Sequence, residues 1–226
     1  MRGVATVTDL EEATAEEVLA HMLEHHHPRL ALACSFQKEE AVLIDMLMAL
    51  EPSARIFTID TGVLFPETYQ AWRAIERRYG VRVEIFDALR DDNVPWTATQ
   101  CCSEAKVAAL EVALDGLDGW ITGVRREQAP TRAAAPKLSF DERRGIWKAN
   151  PIADWDARRV WDYIARNDVP YNPLHDRGYD SIGCAPCTVA GLGREGRWRA
   201  PARSSAASTY EPHLRRWGAC VACACA

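Results

Sequence analysis

The chain has 226 residues, of which 48% are hydrophobic and 26% charged, and carries a net charge of -5. That length buries a full core in one domain, the composition argues against disorder, and the acidic balance against a broad basic field for nucleic acid. Its eight cysteines follow no export signal, so a disulfide framework is disfavoured and metal or redox chemistry comes to the fore.

In chain order, Thr14 followed by Glu17 forms a capping box for a helix in "AEEVLAHMLEHHH", with Val18, Leu19, Met22 and Leu23 on one face. Pro28 ends it, and His25 to His27 read as a solvated helix end. "RLALACSF" is an apolar run without polar alternation, as expected of a strand buried on both faces, and "KEEAVLIDMLMAL" has helical spacing. "ARIFTIDTG" predicts a second strand, "PETYQAWRAIERRYG" a helix opened by Pro66 and closed by Gly80, "VRVEIF" a third strand and "GWITGVRR" a fourth. "DARRVWDYIARND" is a further helix, and "VPYNPLHDRGYDSIG" is a punctuated loop.

Strands alternating with helices predict an α/β fold with a doubly wound, mostly parallel sheet, in which ligands bind beyond the carboxyl ends of the strands. No apolar run approaches the roughly 18 residues of a membrane span, and "MRGVATVTDLEEATAEE" lacks the apolar centre of a secretory signal. The expectation is a cytoplasmic protein with neither nucleic acid nor membrane as partner, and a homo-oligomer is allowed.

"TQCCSEAK" sets Cys101 beside Cys102, and "GCAPCT" sets Cys184 and Cys187 with two residues between them. Neighbouring side chains point apart, so the adjacent pair fits one zinc poorly and a multi-iron cluster better. A zinc half-site, a redox pair and plain buried thiols stay open. Lys106, four residues after Cys102, would share its helical face and offset the negative charge of four thiolates; a solvated surface lysine is the alternative.

"SFQKEEAV" begins where a strand ends and a helix starts, which aims backbone N–H groups and the Ser35 hydroxyl at an anion. It has no Walker lysine pattern, and a turn without a ligand is equally open. At the next strand end Asp60 and Thr61 could grip a ribose or phosphate, and "GVRREQAPTR" gathers Arg125, Arg126, Gln128 and Arg132. Together these loops suggest a binder of a small nucleotide-like anion beside a thiolate-bound cofactor.

The ordered set "SFQKEE", "IDTG", "CCSEAK", "TGVRREQAPTRA", "NPIADW", "VPYNPLHDRGYDSIGCAPCT" and "GREGRW" resembles the assimilatory adenylyl-sulfate reductases. These are relatives of the phosphoadenylyl-sulfate reductases, within the PP-loop nucleotide-binding proteins. The resemblance runs from about Leu30 to Trp198. It implies an adenine nucleotide alpha hydrolase-like domain over residues 1-198, followed by an atypical tail over 199-226.

The resemblance further implies a 4Fe-4S cluster on Cys101, Cys102, Cys184 and Cys187, and hence adenylyl-sulfate rather than its 3'-phosphorylated relative as substrate. By the same resemblance Ser35, Phe36, Thr61, Gly62, Arg125, Arg126 and Gln128 line the nucleotide site, Arg194 and Arg197 fold over it, and Lys106 links cluster to sulfate. Family members attack the sulfate sulfur with a cysteine near the C-terminus, forming an S-sulfocysteine and releasing AMP. Thioredoxin, or a glutaredoxin-type reductant, then frees sulfite. The family usually has a basic residue where Ala105 stands and proline where Ala109 stands.

The family's terminal Glu-Cys-Gly-Leu-His motif does not appear after "GREGRW", so the catalytic nucleophile is unassigned and activity is expected to be impaired. A reading-frame slip between about Trp198 and Ser204 accounts for this. If "SSAASTY" is written TCG AGT GCG GCC TCC ACG TAC, starting at its third base gives GAG TGC GGC CTC CAC, which encodes that motif. Cys220, Cys223 and Cys225 are then products of the wrong frame. The rival is a relocated tail thiol, with Cys220 as first candidate. Other readings are a phosphoadenylyl-sulfate reductase, a catalytically dead nucleotide- or metal-binding module, and an ATP pyrophosphatase, whose SGGxDS-like loop is missing.

Overall fold

A computed structural model describes residues 10–88 and 103–197. The adjacent pair Cys101 and Cys102, and the whole tail with Cys220, lie outside the described residues.

The first helix, α1 (Ala15–His26), is opened by the expected capping box. Thr14 Oγ1 accepts from the Glu17 N–H at 3.2 Å, and Glu17 accepts from the Thr14 N–H at 2.7 Å. Val18, Leu19 and Met22 are buried, whereas His25 and His27 are exposed; His26 is half-buried, near the Trp147 ring. The strand β1 (Leu30–Ala33) is buried along nearly its whole length, and α2 (Lys38–Leu50) follows it with Ala41, Val42, Leu43, Ile44 and Leu47 inside. Next come β2 (Arg55–Asp60), α3 (Pro66–Tyr79), β3 (Glu84–Asp87), α4 (Ser103–Leu114) and β4 (Gly119–Ile121). Gly80 closes α3 at a φ of 67°, a left-handed conformation that suits glycine.

A hairpin that the sequence reading did not single out follows, formed by β5 (Leu138–Asp141) and β6 (Ile146–Ala149), before the last helix, α5 (Ala157–Asn167). The sheet order is β3-β2-β1-β4-β6-β5. β1 runs parallel to β2 and β4, β4 runs parallel to β6, and β5 pairs antiparallel with β6. Expectation and structure agree on a mostly parallel α/β sheet, with one antiparallel edge strand added.

The residues cluster into two compact units. Of the described residues, the first comprises 10–58, 71–84 and 114–172, and the second 59–70, 85–88, 103–113 and 173–197. In the first, the Asp45 carboxylate of α2 accepts from Tyr79 Oη of α3 at 2.9 Å and Tyr163 Oη of α5 at 2.7 Å. Burial, and then the Asp45 charge, push both phenols up, so at neutral pH they remain donors and tie the three helices together. Among the described residues no helix is long and apolar enough to cross a membrane.

Candidate functional site

In the first unit, the turn between β1 and α2 is built around Phe36. The Cys34 N–H continues the sheet by donating to the Phe57 carbonyl at 2.8 Å, and the chain then reverses through Phe36 at a φ of 58°. A non-glycine residue in that region costs on the order of 1–3 kcal/mol and persists only where its surroundings enforce it. Here the Phe36 ring is buried and stacked on Trp72, with centroids 5.1 Å apart and planes 14° from parallel. Its side chain therefore anchors the turn from below, while Ser35 is exposed.

Gln37 is the N-cap of α2, and Glu40 reaches back over the first turn. Glu40 Oε2 accepts from the Gln37 N–H at 3.1 Å and from Ser35 Oγ at 3.2 Å, and Gln37 Nε2 donates to Ser35 Oγ at 3.0 Å. The hydroxyl and the N–H that the sequence offers to an anion are thus held by the chain's own carboxyl group. Desolvation, with the adjacent Glu39 charge behind it, pushes Glu40 up to about 7 even though its side chain partly reaches the surface. Burial pushes the Cys34 thiol up as well, with the Glu40 charge as a second cause, which disfavours its thiolate.

Glu39 lies against Arg125, each side chain only 5% exposed. Arg125 Nε and Nη2 donate to Glu39 Oε1 at 3.0 and 2.9 Å, and Nη1 donates to Glu127 Oε2 at 2.7 Å and to the Trp155 carbonyl at 3.2 Å. Gly123 makes this proximity possible: a Cβ there would lie 2.8 Å from both Glu39 Cβ and Glu40 Oε1. Arg126 donates to Glu11 and to the Ala135 carbonyl; Gln128 Oε1 accepts from the Arg125 N–H and from Arg132. Of the two adjacent arginines expected at the ligand, Arg125 is thus committed to internal partners, whereas Arg126 and its partner Glu11 each stay about one-third exposed.

In the second unit, Asp60 shapes the loop after β2. Its Oδ1 accepts from the Gly62 N–H and from Tyr69 Oη, both at 2.8 Å, while Gly62 adopts a φ of 69°. Thr61 is buried, with Oγ1 3.3 Å from Cys184 Sγ. The Ala185 N–H donates to the Val63 carbonyl at 2.8 Å, and Leu64 and Cys184 form an isolated antiparallel bridge. Residues Ala185–Cys187 make one 3₁₀ turn, in which both thiols are buried and unoxidised.

Arg197 packs against the segment that leads into this turn. Nη1 donates to Ser181 Oγ at 3.1 Å and the Ile182 carbonyl at 2.9 Å, and a Cβ on Gly183 would come within 2.7 Å of its Nε. Arg194 is half-buried, as is Lys106 on α4. Among the described residues no group of three or more histidine, cysteine or acidic side chains could hold a metal, because two of the four expected thiols lie outside them. Sequence reasoning missed Glu39, Glu40, Tyr69, Trp72 and Glu11. The two acids in "KEE" read as ordinary first-turn partners of the helix dipole, and nothing in the spacing marked one of them as folding back.

The residues 29–190 match the family model described as the phosphoadenosine phosphosulfate reductase domain. The chain is 40% identical over 206 residues to an adenosine 5'-phosphosulfate reductase of Allochromatium vinosum, covering 83% of this chain and 80% of that protein. It is 37% identical to a phosphoadenosine 5'-phosphosulfate reductase of Gloeobacter violaceus, covering 86% and 88%. The crystal structure of a phosphoadenylyl-sulfate reductase from Candida auris, a phosphate complex, superposes with a TM-score of 0.68 at 30% identity, covering 81% of this chain and 94% of that one. An FMN adenylyltransferase of Candida glabrata shares the fold alone, with a TM-score of 0.61 at 15% identity, covering 84% and 66%.

Proposed function

The chain belongs to the phosphoadenosine phosphosulfate reductase family, whose members are oxidoreductases acting on sulfur groups, and on that premise we propose that it serves sulfate assimilation by reducing adenylyl-sulfate to sulfite and AMP. The proposed catalytic domain spans residues 1–198, works in the cytoplasm and draws electrons from thioredoxin or a glutaredoxin-type dithiol.

The observation that carries this reading is the buried Cys184–Cys187 turn, tied to the loop after β2 through Val63, Leu64 and Thr61. Two reduced, enclosed thiols on one turn suit a cluster that takes the other two ligands from Cys101 and Cys102. When bound, a 4Fe-4S cluster there would supply a fixed local charge and a structural tie, with Lys106 as a cation offsetting its thiolates.

On this reading Ser35, the Phe36 turn, Thr61 and Gly62 hold the nucleotide's phosphate and ribose by hydroxyl and backbone donors. Arg126, Gln128, Arg194 and Arg197 supply positive charge and hydrogen bonds, while Arg125 positions Glu39 and the turn behind it. A thiolate attacks the sulfate sulfur: an S–S bond forms, the S–O bond to phosphate breaks, and AMP leaves with the electron pair. One thiolate of a reduced dithiol then attacks the cysteine Sγ, the S–S bond to the sulfonate breaks and sulfite leaves with the electron pair; the second thiol resolves the mixed disulfide, which frees the enzyme cysteine and leaves the dithiol oxidised. The nucleophile is assigned to the family's terminal motif, with Cys220 as the alternative within the tail.

Anaerobically purified protein is expected to be brown and to hold about four irons per chain. Cys184→Ser and Cys187→Ser should each lose most of that iron, while adenylyl-sulfate binds the wild type in preference to the 3'-phosphorylated compound. Colourless protein carrying one zinc, or tighter binding of the 3'-phosphorylated compound, would count against the cluster or the substrate respectively. The Gloeobacter and Candida auris relatives make the second comparison necessary.

A further inference from the structure

Ser35 Oγ and the Gln37 N–H lie at the start of α2, where the proposed function puts the anionic end of the substrate, and a single carboxyl oxygen, Glu40 Oε2, accepts from both. An incoming sulfate or phosphate oxygen would meet this carboxyl in its ionised form as a like charge competing for the same donors. The carboxyl cannot simply swing aside toward β4. Gly123 backs it so closely that a Cβ there would lie 2.8 Å from Glu40 Oε1, and Glu39 beside it is fixed by the Arg125 fork.

We propose that Glu40 is a positioning residue that takes up one proton as the anionic end of the substrate binds, so that a neutral carboxyl stays on the first turn of α2 and releases the Ser35 hydroxyl and the Gln37 N–H to the ligand. This deepens the proposed function and rests on that reading's assignment of Ser35 to the substrate. The proton comes from solvent and no other bond changes.

The surroundings make the neutral form accessible. Facing Glu40 are the Cys34 thiol just after β1, whose burial pushes it up, and Glu39 on its own helix. From the segment after β4 come the Gly123 backbone and Arg125, whose guanidinium is engaged by Glu39, Glu127 and the Trp155 carbonyl. Lys38 carries its ammonium over the Trp161 ring, 5.8 Å from the centroid. Enclosure and the Glu39 charge already hold Glu40 near neutral pH, so protonating it takes little free energy.

Because binding consumes a proton, affinity should fall as pH rises through about 7, by roughly tenfold between pH 6 and pH 8. Adenylyl-sulfate is the right probe, since its anhydride has no group titrating there, whereas the phosphate of AMP titrates near 6. Calorimetry of the holoprotein in two buffers of different ionisation enthalpy should record uptake approaching one proton per ligand at pH 8. Glu40→Gln should bind with a flat pH profile and no uptake. Difference infrared spectra of the wild type should gain a protonated carboxyl band on binding, a readout that needs no variant. Binding without proton uptake or without that band overturns the inference alone, as does Glu40→Gln binding that keeps the pH dependence. No binding of adenylyl-sulfate at any pH overturns the proposed function and the inference with it.

Discussion

Replacing Ser205–Thr209 by Glu-Cys-Gly-Leu-His should raise sulfite release from adenylyl-sulfate, with reduced thioredoxin, by on the order of 10³-fold or more over the chain as it stands. Loss of a covalent nucleophile removes the step that every later step depends on, and its cost dwarfs that of any single binding contact. The described thiols offer no substitute: Cys34 is buried and pushed toward its neutral form, and Cys184 and Cys187 are enclosed in their turn. If the unmodified chain instead turns over at a comparable rate and Cys220→Ser stops it, the tail supplies the thiol and the restored motif is superfluous. The gene offers an independent check. An AGT or AGC codon at Ser205 is required by the frame-slip explanation, and a TCN codon there eliminates it.

Arg125→Ala should destabilise the protein by about 3–5 kcal/mol, the usual cost of leaving a buried charge without its partner. Its guanidinium and the Glu39 carboxylate are each 5% exposed, and removal would strand Glu39 beside the enclosed Glu40. For a chain of this size the midpoint of thermal unfolding should drop by about 10 °C. Pairing the change with Glu39→Gln should recover a large part of the loss, because the stranded charge goes with it; Arg125→Lys should recover less, since one ammonium cannot reproduce a fork shared among Glu39, Glu127 and the Trp155 carbonyl. An Arg125→Ala protein that melts within a degree or two of the wild type would show that the pair does not hold this loop, and would return Arg125 to direct contact with substrate.

Most of the fold was legible because burial leaves a periodic imprint. "KEEAVLIDMLMAL" is the helix Lys38–Leu50 to the residue, and the Thr14–Glu17 box opens the first helix as its spacing dictates. The hairpin Leu138–Ala149 escaped because its strands are four residues each, and "DERRG", whose Gly145 takes a φ of 67°, reads as a generic charged loop. The loops at the ends of β1 and β2 lie where the strand spacing places them. What each side chain does there was not legible, because spacing records which groups are near in sequence and not which internal partner claims them. Arg125 and Asp60 illustrate this: one is bound to Glu39 from a helix far back in the chain, the other to Tyr69 and the Gly62 N–H.

The left-handed backbone at Phe36 gives the first loop the character of a latch. Burying a phenylalanine ring contributes about 1.5–3 kcal/mol and its stack on Trp72 about 0.5–1.5 kcal/mol more, together enough to outweigh a conformational cost of about 1–3 kcal/mol. The loop therefore keeps one shape before any visitor arrives. On the proposed reading, a nucleotide would meet a backbone already fixed there, and little of its binding free energy would go into ordering it.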